Sequence, residues 1–133
     1  MKKILFVCNE NSCRSQMAEG LLNHYGKGKV TAESGGSTPS GTVNLQGIEV
    51  MKEKGIDISK QASRGLPEDF SSYDMVITMG CCSVEEVCPV IYSGNKIEWK
   101  IDDPKGHNMD FFRKVRDDIE KKVLELLYEG DNK

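Results

Sequence analysis

The sequence predicts an α/β fold: a parallel sheet with helices on both faces, built as a single domain over residues 1–133. Three observations carry that prediction. Short apolar runs at 3–7 and 75–79 lack clean alternation, as strands covered on both sides do. Segments of helical period follow such runs. Residues with evident chemistry gather where the strands end: Cys8 after the first, Cys81 and Cys82 after the third, Asp103 after the fourth. Ligands of open parallel sheets bind outside the carboxyl ends of the strands, so these groups are expected to share one site.

Lys3–Val7 reads as a central strand. From Arg14 a helix is expected, with Ala18, Leu21, Leu22 and Tyr25 on its inner face and Gly26 as its stop. Val30, Ala32 and Ser34 alternate into a second strand that ends at Gly35-Gly36. Pro39 and Gly41 mark a loop. Residues 43–54 read as a second helix, facing inward through Leu45, Ile48 and Met51 and closed by Gly55. The stretch from Ile56 to Leu66 reads as loop, and Pro67 is placed to open a helical turn through Phe70. Met75–Met79 is the third strand. Ile97, Trp99 and Ile101 alternate with charged residues into a fourth, ending at Asp102-Asp103-Pro104. The last helix is the most regular: Phe112, Val115, Ile119, Val123 and Leu126 recur at steps of three and four, with Asn108 as N-cap and Gly130 as terminator. Tyr25, Trp99 and the Phe and Leu residues of the last helix are read as core.

Composition narrows the function. A net charge of −3 with 29% charged residues gives no basic surface for nucleic acid. No stretch reaches the roughly 18 apolar residues of a membrane span. The short apolar run behind Lys2 and Lys3 is not expected to act as a signal peptide, and a cytoplasmic location is expected. A monomer is expected as well. The five cysteines, Cys8, Cys13, Cys81, Cys82 and Cys88, are then thiols for catalysis, redox work or metal binding rather than a disulfide framework. Zinc prefers four matched thiolate or imidazole ligands; the irregular cysteine spacing and only two histidines, His24 and His107, argue against it. No metal and no cofactor is expected.

The stretch Cys8-Asn9-Glu10-Asn11-Ser12-Cys13-Arg14-Ser15 reads as an oxyanion loop with a nucleophile. A thiol attacks as its thiolate. A helix N-terminus, inward-facing N–H groups of Asn9, Glu10, Asn11, Ser12, Cys13 and Arg14, and the Arg14 guanidinium would all favour negative sulfur. Ser15 can add a hydroxyl hydrogen bond. The same donors suit a tetrahedral oxyanion, with Arg14 gripping two oxygens in its planar fork. Asn11 tolerates the left-handed backbone that such a tight loop needs. Against this, a lone cysteine at a strand end is often only a small core residue; Arg14 and Ser15 at this spacing favour the nucleophile. Asp103, held extended by Pro104, can protonate a leaving oxygen, although Asp-Pro also commonly forms a turn. Cys13 is read as packing.

Cys-x5-Arg-Ser after a first strand, with a late Asp-Pro, resembles the low-molecular-weight tyrosine phosphatase fold. The likeness is closer to the thioredoxin-coupled arsenate reductases built on it. It lies in Asn11–Glu19, in Thr78-Met79-Gly80-Cys81 with Cys88-Pro89, in Asp102-Asp103-Pro104-x-Gly106 and in Arg113-x-x-Arg116-Asp117, and spans nearly the whole chain. The resemblance implies a three-layer fold, its four-stranded parallel sheet ordered 2-1-3-4. It also implies arsenate as substrate, phosphate or sulfate as analogues, and thioredoxin or a similar dithiol protein as reductant, in an arsenic-detoxifying reaction. Cys8 would attack arsenate while Asp103 protonates the departing oxygen; Cys81 (or Cys82) would attack Cys8; Cys88 would take over that redox-active disulfide. Met-Gly-Cys favours Cys81, whereas counting back from the Cys-Ser pair of some relatives favours Cys82.

Three departures stand out. Glu10 replaces the glycine of many members and is expected to point to solvent. The Cys81-Cys82 doublet leaves the relay thiol open. Asn11, Glu19 and Ser34 match part of a potassium site found in some relatives, but Ala62 and Arg64 stand where oxygen ligands belong, so no potassium dependence is expected. The alternative function is a phosphatase using the same loop, for which the downstream thiols are unnecessary. A non-enzymatic arsenite-binding module is a third.

Overall fold

The computed structural model describes residues 2–80 and 94–131. Four parallel strands, β1 (Lys2–Val7), β2 (Val30–Gly35), β3 (Met75–Thr78) and β4 (Asn95–Glu98), form one sheet in the order β2-β1-β3-β4. β1 is central: Lys2 lies opposite Val30 on one side, and Ile4 opposite Met75 on the other. Because strand side chains alternate, β1 serves two cores at once. Ile4 and Phe6 join Ile77 in the larger, with α1 (Arg14–Tyr25), α2 (Leu45–Lys52) and α3 (Met109–Asp131); Leu5 and Val7 join Val76, Phe70 and Tyr73 in the smaller. This two-sided burial is why the run at 3–7 shows no alternation.

The α3 periodicity holds: Phe112, Val115, Ile119 and Val123 are fully buried, and Asn108 caps the helix through its Oδ1, which accepts the Phe111 N–H at 3.0 Å. Five expectations give way. The fourth strand is shorter and earlier than Ile97–Ile101. Trp99 N still donates to Thr78 O at 2.8 Å, but the Ile101 carbonyl turns to Arg14 instead of a strand neighbour. Pro67–Phe70 forms no helical turn, because Asp69 bonds the N–H and hydroxyl of Ser71 locally and competes with it. Leu45 is 78% exposed; α2 packs through Gly47, Val50 and Met51, a stripe rotated from the expected one. Tyr25 is outside the core, its hydroxyl donating to Glu120 at 2.7 Å. Gly130 keeps helical backbone, so α3 runs on to Asp131.

Candidate functional site

Cys8 sits at the carboxyl end of β1, where its N–H donates to Gly35 O at 3.2 Å. The chain then turns tightly through Asn11, whose φ of +50° is the left-handed conformation expected of it. The carbonyls of the loop face outward, each with its own donor. Asn9 O accepts from Thr38 N, Glu10 O from Ser40 N and Ser63 Oγ, Asn11 O from Gln16 Nε2 and Ser12 O from Asn44 N. Turning the carbonyls out leaves the N–H groups to face in. Among the described residues, none of the backbone N–H groups from Asn9 to Cys13 is given to a protein acceptor. α1 starts directly behind, with no side-chain cap at Cys13 and no acid in its first turn. Loop amides and the positive end of a helix dipole thus converge on one point, the arrangement that holds an anion.

Over that point lies the Cys8 sulfur, 4% exposed and 2.8 Å from Ser15 Oγ. The neighbours of Ser15 tie it into the loop. Asn11 Oδ1 accepts the Arg64 backbone N–H at 2.7 Å, which orients the amide so that Nδ2 donates to Ser15 Oγ at 2.9 Å. Asn11 thereby couples Ser15 to the loop, and Ser15 Oγ is within hydrogen-bond distance of the sulfur, where its hydroxyl can support a thiolate. Cys13 is the other free thiol among the described residues. Burial pushes its pKa up to about 11, so it stays protonated and packs, as expected.

Arg14, 8% exposed, is held from behind: Nη1 donates to Met79 O at 2.9 Å and to Ile101 O at 3.1 Å. These carbonyls lie just beyond β3 and β4, so the sheet itself aims the guanidinium. Nη2 is 3.8 Å from Asp103 Oδ2, and the Asp103 side chain is half exposed at the rim. Asp103 Oδ1 also accepts Lys105 N at 3.0 Å, so the Asp-Pro turn forms as well, and turn and site role coexist. Asp102 points away, toward Lys114. Cys8, Cys13, Arg14 and Asp103 line a cavity of about 60 Å³. The Glu10 side chain reaches solvent as expected, and its carboxylate also pairs with Lys105, 2.6 Å from Nζ. Cys81, Cys82 and Cys88 lie outside the described residues.

The sequence model of the low molecular weight phosphotyrosine protein phosphatases matches residues 3–133. The chain belongs to this family. Within it, a glutaredoxin arsenate reductase of Synechocystis is 41% identical over 133 residues, covering 96% of this chain and 97% of that protein. A solved arsenate reductase in its phosphate-binding state superposes with a TM-score of 0.83 at 36% identity, covering 97% and 98% of the two chains. A low molecular weight protein tyrosine phosphatase of T. tengcongensis gives 0.86 at 28% identity, covering 97% and 99%. The fold alone therefore does not separate the two chemistries.

Three supporting residues of this family site escaped the sequence reading. Gln16 reads as an ordinary helix residue, yet it is fully buried and its Nε2 lies within 3.0 Å of Asn11 O, Asn11 Oδ1 and Ala62 O. A polar residue on the inner face of α1 was the available signal. Lys105 carried none. Gly36 lies behind the loop, where a Cβ would press on the Asn9 and Cys8 carbonyl oxygens and stand 2.9 Å from Asn11 N. Backbone cannot yield as a flexible side chain can, so Gly36→Ala is expected to displace the loop. Overpacking of this kind costs about 1–3 kcal/mol. A lowered Tm together with at least tenfold weaker phosphate binding, read by calorimetry, checks it.

Two of the oxygens that would match a potassium site, Asn11 Oδ1 and Glu19 Oε1, already accept protein hydrogen bonds. Asn11 Oδ1 takes two N–H donors, and Ser34 Oγ donates to Glu19 Oε1 at 2.6 Å. Arg64 is exposed, and its positive charge acts on Glu19 from a distance. Burial nevertheless dominates and raises the Glu19 pKa above the ordinary glutamate value. The folded state then holds this proton more tightly than the unfolded chain, so Glu19 loses stability for the fold as pH rises through its folded pKa. Glu19→Gln is neutral at every pH. Its Tm should exceed the parent's at alkaline pH, with the gap closing as pH falls to the ordinary glutamate range. A gap that widens on acidification would contradict this assignment.

Proposed function

We propose that the protein reduces arsenate to arsenite. The observation that carries the reading is the inward nest of N–H groups beside a buried Cys8 sulfur, with Arg14 held by two carbonyls at the same cavity of about 60 Å³. That space suits a compact free oxyanion. The high identity to proteins named arsenate reductases supports the same substrate. Cys8 thiolate attacks arsenic, forming the S–As bond; an arsenate hydroxyl takes a proton from Asp103, its As–O bond breaks and it leaves as water. Loop amides and Arg14 stabilise the charge that gathers on the remaining oxygens. A thiolate from Cys81 (or Cys82) then attacks the Cys8 sulfur. The S–S bond forms, the S–As bond breaks, and arsenic departs with the electron pair as arsenite. Cys88 attacks the relay sulfur, frees Cys8 and leaves a Cys88 disulfide for an external dithiol.

Thioredoxin is the donor the resemblance implies; the relative named a glutaredoxin arsenate reductase makes glutaredoxin the second to try. The test is a coupled assay with arsenate, either donor with its reductase system, and NADPH. Steady NADPH oxidation is expected with one donor. None with either, alongside steady aryl-phosphate hydrolysis, would establish the phosphatase reading instead. Cys88→Ser should release one arsenite per protein and then stop; normal cycling would exclude the relay. Because Asn11 Oδ1 and Glu19 Oε1 already accept protein donors, and Ala62 and Arg64 stand where further oxygen ligands would be needed, exchanging KCl for NaCl at constant ionic strength is expected to leave Tm unchanged.

A further inference from the structure

A charge pair crosses the mouth of the cavity. Lys105 Nζ lies 2.7 and 2.6 Å from the two carboxylate oxygens of Glu10. It joins two backbone segments that are each fixed independently. On one side Glu10 O is held by Ser40 N at 2.9 Å and Ser63 Oγ at 3.1 Å. On the other, the Asp103 carboxylate holds Lys105 N, and His107 N donates to Pro104 O at 2.9 Å. Both side chains line the cavity with Cys8 and Arg14.

The pair has two physical consequences. Glu10 would place a negative charge beside an anion site, and the lysine ammonium neutralises it where it stands. The bridge also narrows the exit. A free tetrahedral oxyanion fits beneath it in the space of about 60 Å³. An ester of the same anion has to carry its organic group out through the mouth, which requires Glu10 and Lys105 to part. We propose that the Glu10–Lys105 ion pair is a specificity clasp that admits free oxyanions and discriminates against their organic derivatives. This rests on the oxyanion-site reading of the loop, but not on arsenate reduction itself.

The side chains are 38% and 52% exposed, so the clasp is weak and salt-sensitive, and its effect on selectivity is correspondingly modest. The test measures, by calorimetry on the reduced protein, the ratio of the Kd for phenylphosphonate to that for inorganic phosphate. Comparing ratios between proteins cancels the intrinsic difference between the two anions. In the double variant Glu10→Ala/Lys105→Ala the ratio should fall about three- to fivefold, the range that an exposed ion pair commands. In the parent, raising NaCl should move the ratio the same way, and in the double variant salt should not move it. A parental ratio in the double variant overturns the clasp. So does a parental ratio that ignores salt, a measurement that stands even if the variant fails to fold. Failure of arsenate reduction would show in NADPH oxidation and leave these affinities untouched.

Discussion

Arg14→Lys is expected to lower kcat/KM for arsenate by on the order of 10²–10³-fold, the scale of losing one preorganised oxyanion donor. The charge is kept, so the loss comes from geometry. Arg14 uses Nη1 for Met79 O and Ile101 O and still presents Nη2 on the Asp103 side. A lysine has one nitrogen. If it stays with the two carbonyls it abandons the anion; if it reaches for the anion it leaves two buried acceptors without partners, at about 1–3 kcal/mol each. Tm should therefore fall by several degrees along with activity. Phosphate affinity and kcat should both drop, since the fork serves ground state and transition state alike. A variant that keeps its Tm and loses only affinity would show that the carbonyl contacts are dispensable.

The same residue marks the limit of what the chain alone reveals. Cys8, Arg14 and Ser15 were legible because a strand, a short loop and a helix start lie consecutively, so sequence spacing is spatial spacing. Asn11 was legible because few residues accept its φ of +50°. What holds Arg14 was not, because Met79 O and Ile101 O come from 65 and 87 residues away and a carbonyl has no residue identity to read. Gly36 fails to stand out for a related reason. Glycines end many strands, and only the approach of the Asn9 and Cys8 carbonyls distinguishes this one. Glu10 was legible as a solvent-facing residue but its partner was not, because Lys105 lies 95 residues downstream in a turn with no periodicity. Tyr25 failed likewise: it sits on the expected helical face, yet Glu120 draws its hydroxyl outward. Local pattern fixes elements and consecutive motifs; contacts assembled by sheet order remain invisible until the order is known.

Cys8→Ser is expected to abolish turnover, by on the order of 10⁴-fold or more, while phosphate still binds. A serine hydroxyl does not ionise near neutrality as a thiol can, and it cannot enter a disulfide, so both sulfur steps of the proposed reaction are lost together. The binding groups are different atoms. The carbonyls of Asn9, Glu10, Asn11 and Ser12 keep their outward donors, and Arg14 keeps its two tethers, so the inward N–H nest survives the exchange. Phosphate affinity is therefore expected to be retained at neutral pH, read by calorimetry. The comparison with Cys88→Ser then orders the chemistry. That variant is blocked after one arsenite has left, whereas Cys8→Ser is blocked before any can form. A single-turnover experiment with each protein, counting arsenite per chain, should give one and none. Arsenite released by Cys8→Ser would mean that another thiol attacks arsenic, and the nest would then bind the substrate without supplying its nucleophile.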